Sequence, residues 1–507
     1  MRSPIAKLTK ILLPALLVQQ GPVWAQQSED TLRIAWSTEL SSYDPYYTST
    51  RAIWVFAHHV WDTLIYRDPV TSEYMPSLAS SYTWIDDVTL ELSLRENITF
   101  HNGEAFNADD VVFTLESITA PDAGLINPQM TDWIRGVEKI DDYTVRILMD
   151  EPFPPALEFL SNVVPIYPNE YYAEVGPTGM SANPVGTGPY KVESADPGKS
   201  FVLVRNEDYF EGSPKAAASI GRITQRTIPD PQTQVAELLS GNLDFIWNVP
   251  SDIADRISTM DGIEVKGGQT MRFSYLRPDT AGVSGTPYFT DVRVRRAVAH
   301  AVDREALATN LMGEGAEVAR SVCFPTQLGC ATDVRQYEYD PEKARALLAE
   351  AGYPDGFEVE LYAHRNRPIV EAIIGYLADV GIRANLNYMQ FTAAKERDLQ
   401  GLIPIRHGTH GSNNINDVSI LMRAWFQGVE EDHVKDPEIV EWNNEAGLIV
   451  DAERRKELYS KVLNKVAEQA YMIPLHTYVT MYAYTSDLQF TPFPDELPRF
   501  NRASWKQ

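Results

Sequence analysis

What lies beyond residue 25 is far longer than the roughly 250–300 residues at which a single hydrophobic core stops growing. It also shows no internal repeat that would let it extend as a solenoid. Two or three domains are therefore expected within the 507 residues. Thr31 to Trp36, Tyr143 to Met149, Phe201 to Arg205 and Phe357 to Tyr362 are rich in β-branched and aromatic residues and read as strands. Helices with legible ends lie between them. Asn107 can cap a helix through Val111, Val112, Leu115 and Ile118, with Asp110 favourably placed against its dipole. Asp340 and Pro341 open another, Gly352 supplies its left-handed stop, and Pro354 prevents continuation. Leu458, Val462 and Val466, flanked by Tyr459 and Leu463, form a core-facing stripe. The mixture gives an α/β or α+β chain.

The first 25 residues read as an export leader. Arg2, Lys7 and Lys10 precede an apolar run from Ile11 to Val18, and Val23-Trp24-Ala25 has the small-x-small pattern of a cleavage site. The run is too short to span a bilayer, so a removable signal peptide and a periplasmic destination are expected. The formal charge is −26, and loss of the three leader cations makes it more negative still. Such a surface repels nucleic acid and anionic head groups. Cys323 and Cys330 are the two cysteines; in an oxidising compartment they are expected to form one small-loop disulfide that pins a local turn.

Several segments, taken together, resemble the dipeptide, oligopeptide and nickel class of bacterial extracellular solute-binding proteins, family 5. They are Leu32-Arg33-Ile34-Ala35 with Tyr43-Asp44-Pro45, then Leu94 to Gly103 with Phe106 to Val111. Val185-Gly186-Thr187-Gly188-Pro189-Tyr190, Arg205 to Phe210, Asp291 to Ala297 and Ile473-Pro474-Leu475 follow in the family's order. The resemblance runs from about Thr31 to Pro474. It implies a two-lobed flytrap enlarged by a third domain. The first lobe would comprise 26–62, 184–272 and 485–507; the extra domain 63–183; the second lobe 273–484. Hinge strands would lie near Trp247 and near Met481 to Tyr484. The implied role is capture of a small polar solute, a short peptide or amino-acid conjugate, for an inner-membrane ABC permease. A carbohydrate-like or opine-like solute and chelated nickel are the alternatives.

In peptide-binding relatives a carboxylate pairs with the ligand's ammonium group and an arginine takes its carboxylate. The segment similar to the family's amine-binding stretch is His410-Gly411-Ser412-Asn413-Asn414-Ile415-Asn416-Asp417-Val418, where the expected acid falls at Asn413 or Asn414. An amide cannot supply a full negative charge, so this loop suits hydroxyls, amides or a sugar-like solute. Arg365, in His364-Arg365-Asn366-Arg367-Pro368, occupies the region of the carboxylate-binding arginine. Ser42 and Tyr43 offer hydroxyls on the turn that lines the cleft in relatives, and Trp247 and Trp425 are aromatic candidates for stacking. The candidate ligand-binding set is thus Ser42, Tyr43, Trp247, Arg365, Gly411, Ser412, Asn413, Asn414 and Trp425.

His407 and His410 would share a face only on a helix, which Gly408 and the following Gly-Ser-Asn run oppose, so no metal site is expected there. No Gly-x-Ser-x-Gly elbow, His-Glu-x-x-His, P-loop or dinucleotide fingerprint occurs. A non-enzymatic binder without cofactor or nucleic-acid partner, acting as a monomer, is expected. A periplasmic hydrolase built on an unrecognised carboxylate pair is the rival from another class.

Overall fold

The computed structural model describes residues 30–48, 50–313, 315–412, 414–428 and 432–506. The leader assigned to residues 1–25 and the site candidate Asn413 lie outside the described residues. A ten-stranded mixed sheet runs through the molecule. Its order is Ile382–Tyr388, Phe357–Ala363, Ile405–Gly411, Ile263–Pro278, Ile473–Thr485, Phe245–Trp247, Thr31–Trp36, Arg222–Thr227, Ser200–Arg205 and Tyr190–Asp196. A separate four-stranded antiparallel sheet, Ala79–Asp86, Thr89–Leu94, Thr144–Leu148 and Gly136–Asp141, packs on the side of the larger sheet that carries Thr31–Trp36.

The hydrophobic cores divide the sheet into two lobes. Leu32, Ile34, Phe201 and Ile223 share one core with Leu90, Phe106 and Val145 of the small sheet. Val294, Val298, Leu361, Ile373 and Ile405 form another around the opposite half. A further cluster gathers Phe273, Tyr275, Trp425, Leu458, Tyr459 and Val462 below the loop that follows Ile405–Gly411.

Two long strands join the lobes. Ile263 to Gln269 pairs with Val479 to Thr485, and Arg272 to Pro278 then pairs with Ile405 to Gly411. The Ile263–Pro278/Ile473–Thr485 register breaks between Gln269 and Phe273 and again before Tyr275. Such bulges bend a strand and raise its twist, as expected where one strand must pass between two bodies. Gly268 sits just before the bend. A Cβ there would lie 2.6 Å from Pro492 and 3.0 Å from the Tyr482 ring, so only glycine admits this approach. The strand Phe245–Trp247, expected near the hinge, lies between Thr31–Trp36 and Tyr482–Tyr484 and does not itself pass from one lobe to the other. Three residues reach only about 10 Å, too short to bridge two bodies.

Local chemistry follows the sequence closely at several ends. Asn107 and Asp110 form a reciprocal capping box on Ala108–Thr119. Asp340 caps Pro341–Glu350 through the Lys343 amide at 2.9 Å, and Gly352 has φ +95°. Cys323 and Cys330 are bridged across a seven-residue separation. The loop they close buttresses the segment after Gly411: Leu328 N donates to Asn416 O at 2.9 Å, and Val418 N donates to Leu328 O at 3.1 Å.

Candidate functional site

Gly411, Ser412 and residues 414–418 leave the second lobe and dock on the first. Ser412 N donates to Met271 O at 3.2 Å and Ile415 N to Ser412 O at 3.0 Å, closing a turn. Asn414 occupies this turn at φ +73°, a conformation that asparagine tolerates better than most residues. Asn162 Nδ2 and Arg67 Nη2 donate to Asn414 O at 2.9 and 3.3 Å, and Arg51 bonds the Asn414 side-chain oxygen. Asn416 N donates to Glu158 Oε1 at 2.7 Å, and Asn416 Nδ2 to Ser72 Oγ at 3.1 Å. Ile415 is buried in the core of the first lobe. At the other end of the turn, Asp417 accepts both Arg455 Nη atoms at 2.9 and 3.0 Å, deep in the second lobe.

Beside this docked loop lies a cavity of about 350 Å³, lined by Thr50, Arg51, Trp54, Asn127 and Met130 from one side and Arg272 and Asn414 from the other. That volume falls at the small end of the range for ligand pockets. A larger open groove of about 620 Å³ lies farther along the same seam, between Asp132 to Pro155 and the helices carrying Ser419, Arg423 and Asn444. Within the smaller cavity, Arg51 is held by Glu496 at 2.9 Å and by Asp495 O at 2.6 Å. Arg272 stands at the bend of the crossing strand, with its guanidinium over Gly411. A Cβ on residue 411 would sit 2.8 Å from Arg272 Nη2. Burial lowers the Arg272 pKa from its ordinary value; Glu496 opposes that shift, and Arg51 and Arg365 reinforce it.

The sequence candidates separate by location. Gly411, Ser412 and Asn414 belong to the docked loop, and the Ser412 hydroxyl is buried without a hydrogen-bond partner among the described residues. Arg365 is exposed just before the helix Arg367–Asp379, close enough that its charge acts on Arg272, His407 and Tyr478. Ser42 bonds Ser181 Oγ at 3.0 Å. Tyr43 is in the core and donates to the Ser200 and Asp196 carbonyls at 2.8 and 3.2 Å. Trp247 packs edge-on against Trp36 at 6.0 Å. Trp425 packs on Tyr275 and His410, each at 4.9 Å, beneath the loop. Sequence reasoning missed Thr50, Arg51, Trp54, Asn127, Met130 and Arg272. Arg51 carried a signal. It opens the helix Arg51–Val60, where a cation opposes the dipole and no acid offsets it.

His407 and His410 lie on the strand Ile405–Gly411, where a three-residue separation sends side chains to opposite faces. His407 bonds Ser274 Oγ at 2.9 Å. Among the described residues no group of three or more His, Cys, Asp or Glu side chains could hold a metal. Burial pushes His59, His101 and His410 down to about 4, and His407 to about 3. Folded, these rings stay neutral while the unfolded chain takes protons near pH 6.5. Their stabilisation is present above that pH and is lost as pH falls toward 4. Asp44 and Asp110, raised by burial to about 6, act oppositely; their contribution is full below about pH 4 and is lost as pH rises through 6. The histidines outnumber them, so the melting temperature is expected to fall between pH 7 and pH 4. A melting temperature that rises over that interval would contradict the burial of these rings.

The family model described as bacterial extracellular solute-binding proteins, family 5 Middle, matches residues 73–432. The chain belongs to this family. Heme-binding protein A of Haemophilus influenzae is 26% identical over 456 residues, covering 83% of this chain and 82% of the relative. Glutathione-binding protein GsiB of Salmonella typhi is 30% identical over 319 residues, or 62% of this chain; the matched span is 60% of that relative's length. The solved structure of HbpA2 from Haemophilus parasuis superposes with a TM-score of 0.85 at 24% identity, covering 94% of this chain and all of that one. The shared fold is the two-lobed one characteristic of solute-binding proteins.

Proposed function

We propose that this family 5 protein is the periplasmic solute-capturing subunit of an ABC importer, and that it takes a short peptide or amino-acid conjugate into the seam between its lobes. The division into a first lobe (26–62, 184–272, 485–507), an extra domain (63–183) and a second lobe (273–484) belongs to this reading, as does export by the leader 1–25. The observation that carries it is the cavity walled by Arg51, Trp54 and Met130 on one side and by Arg272 and Asn414 on the other, beside the strands that cross between lobes. A solute there touches both lobes at once. Only contacts made with both lobes favour closure, and the closed form is what a permease would receive. Heme and glutathione, bound by the relatives, are both larger than one amino acid and carry carboxylates, which suits a seam rich in arginine.

The test is native mass spectrometry of gently purified protein, followed by identification of the released molecule and titration back onto solute-free protein. An intact molecule that rebinds unchanged supports capture, whereas its conversion to a product would favour the hydrolase reading. Asn414→Gly keeps the left-handed backbone and removes the amide, and is expected to weaken binding by about 1–3 kcal/mol. Unchanged affinity would remove Asn414 from the site.

A further inference from the structure

The cavity has an unusual charge balance for so acidic a chain, which holds 70 Asp and Glu against 44 Lys and Arg. Arg51 and Arg272 line the cavity, and exposed Arg365 adjoins Asn366, whose Nδ2 donates to the Tyr478 hydroxyl on a crossing strand at 2.8 Å; the charges of Arg51 and Arg365 both act on Arg272. Glu496 faces Arg51 and Arg272, and it is already engaged by Arg51 Nη2 at 2.9 Å and by Thr480 Oγ1 at 3.0 Å. The neighbouring Asp495 is taken by Arg499 at 2.6 and 2.9 Å. Arg272 makes no hydrogen bond or ion pair with any described residue, although it is only partly exposed and its guanidinium lies against Gly411. The remaining polar groups of the wall, Thr50, Asn127 and Asn414, are neutral. Apart from Glu496, which is already engaged, none of these described groups offers a negative charge to an ammonium group, and a desolvated cation without a partner is costly.

We infer that the solute carries at least two negative charges, and that Arg272 selects for one of them while Arg365 at the rim meets another. This rests on the solute-capture reading above and specifies its ligand class: a dicarboxylate or other multiply anionic conjugate, not a simple zwitterionic dipeptide. Arginine suits the role because its planar fork bonds a carboxylate through two parallel N–H groups. The glycine at 411 leaves room for that fork to lie flat at the cavity wall. Without solute, Arg272 is a destabilising charge, which binding relieves.

The experiment uses the full chain freed of solute, as wild type, R272M and R272K. Each is melted with three anion-exchange pools of a bacterial small-molecule extract: zwitterionic, singly anionic and multiply anionic. The wild type is expected to be stabilised by the multiply anionic pool. R272M is expected to need at least about thirtyfold more of that pool for the same shift, the loss typical when one partner of a desolvated charge pair is removed. R272K should fall between them. Without any pool, R272M should melt no lower than wild type, since it loses a charge and no bond. Stabilisation by the zwitterionic pool alone, or an R272M response equal to wild type, would overturn the charge assignment while leaving solute capture standing. Absence of a response to all three pools in the wild type would overturn solute capture itself.

Discussion

Asp417→Ala is expected to cost about 3–5 kcal/mol of folding stability, the loss typical when one member of a buried ion pair is removed. Asp417 and Arg455 are each only 1% exposed, and the guanidinium reaches the carboxylate through both Nη atoms. The carboxylate also accepts Ser419 N at 2.9 Å, starting the helix Ser419–Trp425. Facing Asp417 holds Arg455 well above its ordinary pKa. Removing the acid therefore strands a cation left, among the described residues, with the Ala446 carbonyl 3.2 Å from its Nε, the Tyr459 hydroxyl 3.5 Å from Nη2 and the Tyr459 ring 5.3 Å from Cζ. Urea unfolding of the single variant beside Asp417→Leu/Arg455→Met separates the pair from its burial. The double variant should recover most of the stability, since apolar replacement of a buried pair is often neutral. A single-variant loss under about 1 kcal/mol would show that the pair is far less desolvated than its burial implies.

Glu158→Ala is expected to open the molecule. Glu158 is fully buried in the helix Ala156–Asn162 and accepts the Asn416 amide from the opposite lobe at 2.7 Å. A hydrogen bond to a charged group is worth about 1.5–3 kcal/mol, so the closed-to-open ratio and the apparent solute affinity should each fall roughly ten- to hundredfold. Arg67, which forms an ion pair with Glu158 at 2.9 Å, keeps a second acid in Asp495 at 3.7 Å, so its charge is not left alone by the change. Energy transfer between dyes on the two lobes reads the shift directly. Equal transfer in the variant and the wild type, with equal affinity, would mean that this contact does not hold the lobes together.

The fold was largely legible because its cues are local. Asn107 with Asp110, Asp340 with Pro341, and Gly352 each act within one turn of chain, and the stripe through Leu458, Val462 and Val466 follows the helical period into the core. The candidate cavity was legible only in part. The loop carrying Gly411, Ser412 and Asn414 stands out by composition, whereas Arg51, Arg272 and Met130 meet only once chain segments far apart in sequence are packed together. Residue type also fails to separate cleft from core. Tyr43 and Trp425 suit a ligand chemically, yet Tyr43 finds two backbone carbonyls and Trp425 finds Tyr275 and His410. The expected hinge strand at Trp247 was displaced for a similar reason. Trp247 marks a conspicuous short strand, but a crossing needs length, which Ile263–Pro278 has and Phe245–Trp247 lacks.

Small-angle X-ray scattering of the solute-free protein, repeated with the co-purified solute at saturation, tests the central claim that two lobes close on a captured molecule. A smaller radius of gyration on binding is predicted, with a matching change that Glu158→Ala requires more solute to reach. Superimposable profiles for the solute-free and saturated protein would contradict it.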